Sequence, residues 1–326
     1  MRILLTGTTG QVGGALRAPL AEFGTVLPVD RHQLDLSRPD AIGAALDALR
    51  PDLIVNPAAY TAVDLAEDER DAAFRINGSA PGAMAVWAAR HDVPLIHFST
   101  DYLFDGSGHA PWREADEPAP LSVYGASKLA GERAVGEAGG RHLIVRTSWV
   151  YASKGKNFLQ TIARLAKERK ELRIVADQFG APTSARVIAE AVARILRTEF
   201  AGGGRPFRRN GGAIQGNVIQ GNVINVSASG ETNWHGFATA IVAGLKERGV
   251  AVAAEQVVPI ATADFPTKAK RPHNSRLDHR RLNEVYGITM PTWLGALDVE
   301  LDEMTDLSRA TPVMTREPIS AAAPQR

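Results

Sequence analysis

Arg2-Ile3-Leu4-Leu5-Thr6-Gly7-Thr8-Thr9-Gly10-Gln11-Val12-Gly13-Gly14 opens the chain and decides its fold. Arg2–Thr6 reads as a short buried strand that runs straight into three glycines spaced GxxGxxG, and a helix follows to about Phe23. Glycine permits the tight turn and lets backbone N–H groups approach a pyrophosphate at the helix N-terminus. The last glycine lets helix and strand pack closely. A glycine pattern alone is a weak signal, but the strand before and the helix after supply the required context. Asp30 stands at the end of the second strand, Thr25–Val29, where a ribose-binding acid belongs.

The alternation continues. Ser37-Arg38-Pro39-Asp40 reads as a helix start with a hydroxyl cap and a proline in the first turn. Leu53–Asn56 is a third strand, Val63–His91 a long helical stretch broken near Gly78–Gly82, Leu95–Ser99 a fourth strand and His142–Arg146 a fifth. Strand and helix in alternation predict an α/β protein with a doubly wound parallel sheet, a Rossmann fold, and ligands at the carboxyl ends of its strands. A smaller C-terminal α/β substrate-binding region is expected. Its elements are a helix opening at Asn157-Phe158, a strand at Leu172–Val175, a helix over Ser184–Arg197 and a strand at Val223–Val226. The division expected is 1–150 for the dinucleotide domain, 151–305 mainly for the sugar-nucleotide region, with some segments returning to the sheet, and a disordered tail over 306–326. Gly202–Gly221 contains a tandem repeat, Ile214–Val218 then Ile219–Val223, and reads as a flexible inserted loop, since two short copies cannot build a core.

Composition narrows the classes. The 326 residues are 44% hydrophobic and 22% charged, which suits a globular protein with a real core. A net charge of +1 gives no field that would recruit nucleic acid or an anionic membrane. The basic cluster at Pro206–Arg209 reads as a solvated loop. There is no cysteine, which excludes disulfides, thiolate metal sites and cysteine nucleophiles. No run approaches the ~20 apolar residues of a membrane span, and the N-terminal apolar run is too short for a signal peptide. A cytoplasmic protein is expected.

The candidate chemistry lies in Ser122-Val123-Tyr124-Gly125-Ala126-Ser127-Lys128. Tyr124 and Lys128 are four apart on the first turns of a helix and so share a face. Free tyrosine, with a pKa of about 10, is a poor acid–base group at neutral pH. An ammonium near its oxygen favours the phenolate and draws the pKa toward the working range. The bland reading of the pair is a helix-start tyrosine and a solvated lysine.

Several motifs together carry a resemblance: GTTGQVGG at Gly7–Gly14, NPAAYTAVDLAE at Asn56–Glu67, STDYLFDG at Ser99–Gly106 and SVYGASKLAGE at Ser122–Glu132. RTSWVY at Arg146–Tyr151, DQFGAPT at Asp177–Thr183 and RPHNSRL at Arg271–Leu277 complete the set. From Met1 to about Met304 the chain resembles the extended short-chain dehydrogenase/reductases, and more narrowly the dTDP-4-dehydrorhamnose reductase family. The resemblance implies NADPH- or NADH-dependent reduction of the C4 ketone of dTDP-4-dehydro-β-L-rhamnose, the last step of dTDP-rhamnose biosynthesis. It implies Tyr124 as proton donor, Lys128 lowering the Tyr124 pKa and holding the nicotinamide ribose, and Thr100 hydrogen-bonding the substrate oxygen. Cofactor contacts would come from Gly7, Thr9, Gly10, Gln11, Val12 and Gly13 at the pyrophosphate. Asp30, Arg31, Asp35 and Leu36 would meet the adenosine side, and Ala58, Ala59, Tyr60 and Thr61 the nicotinamide ribose. Asp30 suits a free ribose hydroxyl and Arg31 a 2′-phosphate, so the choice between the two cofactors stays open. Substrate contacts would come from Thr100, Asp101, Trp149, Asn157, Arg271 and Asn274, the last two at the diphosphate.

Related dehydratases place Asp-Glu after the Ser/Thr, whereas Thr100 is followed here by Asp101-Tyr102. Without that glutamate, simple carbonyl reduction is favoured over elimination. The alternatives are a reductase or epimerase for another nucleotide-linked keto sugar, and a non-catalytic regulatory relative. Some relatives are magnesium-linked dimers. At the corresponding positions this chain has Ala15, Arg186 and Leu294, which offer no hard oxygen donor, so the sequence assigns no metal site. The expected partner is a dTDP-sugar, with no nucleic acid or membrane, in a monomer or homodimer.

Overall fold

A computed structural model describes residues 1–203, 206–207, 214–215, 218–219 and 222–310. The first half contains β1 (Arg2–Leu5), α1 (Gln11–Ala21), β2 (Thr25–Pro28), α2 (Pro39–Leu49), β3 (Leu53–Asn56), α3 (Arg70–Phe74) and α4 (Ala80–His91). It continues with β4 (Leu95–Thr100), α5 (Val123–Glu137), β5 (His142–Thr147) and β6 (Val150–Tyr151). The second half contains α6 (Phe158–Glu168), β7 (Glu171–Val175), β8 (Phe179–Gly180), β9 (Thr183–Ser184) and α7 (Ala185–Ala201). Then come β10 (Ile214–Gln215), β11 (Val218–Ile219), β12 (Val223–Asn225), β13 (Thr232–Asn233) and α8 (Trp234–Glu247). The last elements are β14 (Gln256–Ile260), α9 (Arg280–Tyr286) and α10 (Trp293–Ala310).

Six strands form one parallel sheet in the order β12-β5-β4-β3-β1-β2. The interior strands read as apolar runs because both faces are covered: every residue of β3, β4 and β5 is buried. On one face Leu16 and Leu20 of α1 and Ile188, Val192 and Ile195 of α7 pack against β1, β3 and β5. On the other, Ile42 and Leu46 of α2 and Met84 and Ala88 of α4 pack against β1, β3 and β4. The chain leaves β1 in both directions along the sheet, so a crevice opens where the loops after β1 and β3 part. A third core, built from α6, α8, α10 and β7, gathers Tyr151, Leu159, Ile162, Phe237, Ile241 and Leu301. It stands beside the carboxyl edge of the sheet and forms the opposite wall of that crevice.

Four local expectations are corrected. Ser37 does not cap α2. Its hydroxyl donates to Asp35 Oδ1 at 2.8 Å, and Arg38 occupies the cap with no side-chain bond, leaving Pro39 to set the first turn. The Val63–His91 stretch is not one helix broken at its glycines. It begins as a 3₁₀ turn at Leu65–Glu67 and then runs from Arg70 through a π-helical segment at Arg75–Ser79 into α4. Gly78 and Gly82 serve close packing instead. A Cβ on Gly82 would sit 2.9 Å from Ala134 Cβ of α5, and one on Gly78 3.3 Å from Ala130 Cβ. The helix after Ser184 extends to Ala201, since its apolar face continues through Ile195 and Leu196 into the main core. The tail is helical to Ala310, and its remainder lies outside the described residues. Most of the Gly202–Gly221 loop lies outside them too, as does half of the Pro206–Arg209 cluster. The described part of the repeat pairs Ile214–Gln215 antiparallel with Val218–Ile219. No helix among the described residues is long and apolar enough to cross a membrane.

Candidate active site

The glycine loop is shaped by contacts that leave no room for side chains. Gly7 has φ +59°, and a Cβ there would meet the Ala58 backbone at 3.0 Å. A Cβ on Gly13 would lie 2.1 Å from the Gly7 oxygen. The Gly10 N–H donates to the Gly7 carbonyl at 2.9 Å, closing the turn before α1. The loop has the strand–turn–helix form the spacing predicts, and it opens onto a cleft of about 1540 Å³. Gly7, Thr9, Gly10, Gln11, Val12 and Gly13 line its floor. Asp30, Arg31, Asp35 and Leu36 line one end, and Ala58, Ala59, Tyr60 and Thr61 line the middle. Asp30 Oδ1 accepts from the His32 and Gln33 N–H groups, which fixes the turn after β2. Asp35 is held below the usual carboxylate range by the Ser37 N–H and hydroxyl. Tyr60 is braced at both backbone groups by the Asn77 amide (2.7 and 3.0 Å), and its hydroxyl donates to Glu69 at 2.8 Å.

At the carboxyl end of β4 stands the cluster of candidate catalytic side chains. Ser122 caps α5, its hydroxyl accepting the Gly125 N–H at 3.2 Å, and this sets Tyr124 and Lys128 on the face toward β4. Gly125 is needed there, because a Cβ would lie 2.2 Å from the Tyr102 carbonyl. Thr100 donates to Asp101 Oδ1 at 3.0 Å, and its hydroxyl is the hydrogen-bonding neighbour of Tyr124. Tyr124 packs edge-on against Tyr102 at 5.6 Å between ring centres. Asp101 is almost wholly buried, and burial pushes its carboxyl up to about 6. The Ser275, Thr100 and Ser148 hydroxyls pull the other way, although Oδ2 makes no full hydrogen bond.

The expected effect of Lys128 on Tyr124 is not what the geometry gives. Burial pushes the Tyr124 phenol up to about 12, and what opposes this is the Thr100 hydroxyl rather than the lysine. Lys128 Nζ is turned away, donating to the Phe98 carbonyl at 2.6 Å with His97 Nε2 at 3.4 Å. Burial draws the lysine down to about 8, against the pull of Glu132 one turn along α5. Glu132 itself is locked to Arg146 of β5 by two bonds of 2.9 and 2.7 Å, with both side chains wholly buried.

The expected substrate contacts divide into two groups. Thr100, Asp101, Trp149 and Asn157 line the cleft. Trp149 adopts a left-handed φ of 47°, and one face of its indole is stacked on Trp234 at 3.6 Å. A Cβ on Gly180 would come within 2.6 Å of the same ring, which explains the glycine of DQFGAPT. Asn157 spends its amide locally. Oδ1 caps α6 through the Gln160 N–H, and Nδ2 donates to the Ala152 and Lys154 carbonyls. Arg271 and Asn274 do not line the cleft. Arg271 is clamped to Asp64 at 2.7 Å and supports Tyr102 from behind. Asn274 is buried, with its amide donating to Ala110 O at 2.8 Å and accepting from Arg276.

Sequence reasoning missed several cleft residues: Tyr102, Lys154, Lys156, Trp234, Glu300 and Glu303. Only Tyr102, inside a quoted motif beside Asp101, carried a usable signal. Arg186 pairs with Glu300 (3.3 Å) and with Glu303, and Glu300 also accepts the Ser153 N–H at 2.6 Å. Ala15, Arg186 and Leu294 are thus two apolar side chains and an ion-paired cation, and none of the three offers an oxygen donor to a magnesium ion. Among the described residues no group of three or more His, Asp or Glu side chains is placed to hold a metal.

Residues 1–306 match the family model described as the RmlD substrate binding domain. The dTDP-4-dehydrorhamnose reductase of Burkholderia thailandensis is 46% identical over 295 residues, covering 90% of this chain and 95% of the relative. That of Escherichia coli K12 is 41% identical over 308 residues, covering 93% and 98%. The crystal structure of dTDP-4-dehydrorhamnose reductase from Bacillus anthracis in complex with NADP superposes with a TM-score of 0.80 at 33% identity, covering 93% of this chain and 99% of that one. A glycine cradle, a tyrosine–lysine pair at the sheet edge and similarity along nearly the whole length converge, and the chain belongs to the dTDP-4-dehydrorhamnose reductase family.

Proposed function

We propose that the cleft reduces the C4 ketone of dTDP-4-dehydro-β-L-rhamnose to the alcohol of dTDP-β-L-rhamnose. One observation carries the reading: the Thr100–Asp101–Tyr124 cluster and the glycine cradle face one continuous cleft. The cradle fits a dinucleotide, since the space a Cβ would fill at Gly7 and Gly13 is taken by backbone, leaving the N–H groups of α1 open to a pyrophosphate. Arg31 and Asp30 flank the adenosine end, and Lys128 with the Ala58–Thr61 turn flanks the nicotinamide end. The reduced nicotinamide, when bound, supplies the hydride.

The chain's own groups deal with the proton. A carbonyl that gains hydride becomes an alkoxide and takes a proton from the nearest acid. Tyr124 suits this task because burial keeps its proton in place at neutral pH. Thr100 orients the phenol, and its one hydroxyl proton, given to Asp101 Oδ1 in this structure, has to turn to the substrate oxygen to stabilise negative charge there. Asp101, held partly protonated near neutrality, anchors the Thr100 hydroxyl. The third core, with Trp149 against Trp234 and the Lys154–Asn157 loop, forms the wall that would receive the sugar nucleotide. The substrate is a dTDP-sugar on this reading, and the third core is its binding region.

Tyr124→Phe tests the assignment. NADPH oxidation with dTDP-4-dehydrorhamnose is expected to fall by ~10²–10⁴-fold, with cofactor binding retained. Full turnover in that variant would remove Tyr124 as the donor. Oxidation by the wild type with another 4-keto sugar, and none with this one, would move the substrate assignment.

A further inference from the structure

A chain of buried polar groups runs beneath the sheet from the nicotinamide side of the cleft to the lysine. The Ala58 N–H donates to Thr6 Oγ1 at 3.2 Å, and Thr6 Oγ1 is 2.7 Å from Asn56 Oδ1. Asn56 Nδ2 is 3.2 Å from His97 Nδ1, and His97 Nε2 is 3.4 Å from Lys128 Nζ. Thr6, Asn56, His97 and Lys128 are all buried. His97 is hemmed in: a Cβ on Gly131 would lie 3.4 Å from its Nε2.

The proton count of this chain is constrained. Burial and the nearby lysine hold the His97 imidazole far below its usual pKa, so it carries a single ring proton. If Lys128 is an ammonium, Nζ can only donate. Nε2 must then accept, the proton sits on Nδ1, and the Asn56 amide presents oxygen to it and nitrogen to Thr6. Thr6 Oγ1 has lone pairs for both the Asn56 and Ala58 N–H groups. If Lys128 is a neutral amine it can accept, and every bond reverses: the proton moves to Nε2, and the Asn56 amide turns its nitrogen to Nδ1 and its oxygen to the Thr6 hydroxyl. The second arrangement pairs every proton along the chain and has the amide orientation of this structure; the first leaves the Thr6 hydroxyl proton without an acceptor in the chain, and any mixture leaves two donors or two acceptors facing each other in the core.

We propose that His97 is a positioning residue for Lys128 whose ring proton follows the charge on the lysine, stabilising the ammonium by offering it Nε2 as a second acceptor beside the Phe98 carbonyl. The proposal rests on the reductase reading only in making the ammonium the active form. The groups that face the pair are few. Glu132 and Tyr124 lie one turn to either side of Lys128 on α5, and Glu132 is paired with Arg146 of β5. Asp101 neighbours Tyr124 at the end of β4, and His142 faces His97 from β5. Neither Tyr124, with its pKa raised, nor the Arg146-paired Glu132 can take over the acceptor position of Nε2 without moving.

Two measurements test this. In the cofactor-free wild type, ring-¹⁵N-labelled histidine spectra between about pH 6 and about pH 10 are expected to show His97, identified by its loss in His97→Gln, as the Nδ1–H tautomer at low pH. It should convert to Nε2–H as the lysine titrates near 8. In Lys128→Met that conversion should vanish. One tautomer throughout, or an imidazolium, overturns the proposal without touching the reaction assignment, since no substrate is present. In kinetics, Gln places an amide where Nε2 stands and Asn places one where Nδ1 stands. His97→Asn is therefore expected to lower the basic limb of the kcat/KM profile by about one pH unit, and His97→Gln to restore it. Equal profiles in the two variants, with only their stabilities changed, would make His97 a packing residue and overturn the proposal.

Discussion

Arg146 and Glu132 form the most exacting electrostatic commitment in the molecule. Arg146 lies on β5 between β4 and β12, and its guanidinium reaches Glu132 of α5 by two bonds and the Glu114 carbonyl by a third at 3.1 Å. Both side chains are wholly buried, so neither charge can recover water if its partner is removed. Glu132→Leu leaves a guanidinium in the core with one carbonyl for company, and Arg146→Met leaves a bare carboxylate. Breaking a buried pair in this way costs about 3–5 kcal/mol, which is a third or more of the ~5–15 kcal/mol that holds a typical domain. Removing both charges at once is different. The double variant loses the attraction and the desolvation penalty together, and what remains is the Glu114 carbonyl without its donor, about 1–3 kcal/mol.

Urea unfolding of the wild type, the two single variants and the double variant forms a double-mutant cycle. The expected coupling is about 3 kcal/mol or more, with the double variant more stable than either single. A single-variant loss under about 1 kcal/mol, or a double variant no better than the worse single, would refute the argument that these charges depend on one another. The pair also bears on catalysis. Glu132 is what pulls the Lys128 pKa back up against burial, so in Glu132→Leu the basic limb of the activity profile should move to lower pH even in the fraction that is folded.

Three shorter predictions follow from other parts of the cleft. Gly13→Ala forces a Cβ to 2.1 Å from the Gly7 carbonyl, so NADPH titration by fluorescence should show at least about tenfold weaker binding, with a stability loss of about 1–3 kcal/mol. Unchanged affinity would mean the loop is not the cradle. Asp101 is buried and its carboxyl is raised from 3.8 to about 6. The native state thus holds a proton that the unfolded chain releases, and this contribution is full below about pH 4 and lost as pH rises through about 6. A proton held across roughly two pH units amounts to about 3 kcal/mol, and Asp101→Asn should flatten the fall in unfolding free energy between pH 4 and 6. Arg31 lies exposed beside Asp30 at the end of the cleft proposed for adenosine. Arg31→Ala should raise the KM for NADPH roughly tenfold while leaving that for NADH alone, and equal changes for the two cofactors would clear Arg31 of any 2′-phosphate role.

What was legible in the sequence is what is encoded locally. The glycine loop needs only a strand, a turn and a helix start, all within the first fourteen residues, and each of its glycines has a backbone reason. Tyr124 and Lys128 could be placed because four residues make one helical turn. Their electrostatics could not, because the groups that decide them come from elsewhere: the Phe98 carbonyl and His97 from β4 turn the ammonium away. Arg271 shows the same limit. Its charge invited a diphosphate role, but its partner is Asp64, 207 residues away, and only the folded chain brings the two together. Ser37 failed for the opposite reason. A nearer acceptor, Asp35, captured the hydroxyl expected to cap α2. Asn56, His97 and Arg146 are strand residues whose polar side chains break apolar runs, and a polar residue inside a buried strand was the signal left unread.

The shifted pKa values of Tyr124 and Lys128 have one cause and complementary consequences. Burial disfavours charge, so it raises the Tyr124 phenol to about 12 and lowers the Lys128 ammonium to about 8. A phenol at about 12 is a reliable store of one proton at neutral pH, as a ketone reduction requires. Once that proton has gone to the sugar, the phenolate is left beside the Thr100 hydroxyl, because Lys128 Nζ is held by the Phe98 carbonyl and His97 and is turned away from it. The His97–Asn56–Thr6 chain behind the lysine ends at the Ala58 amide, so it can reverse its polarity but carries no proton to Tyr124. The route that reprotonates the phenol on this reading therefore runs through the cleft that Tyr124 lines.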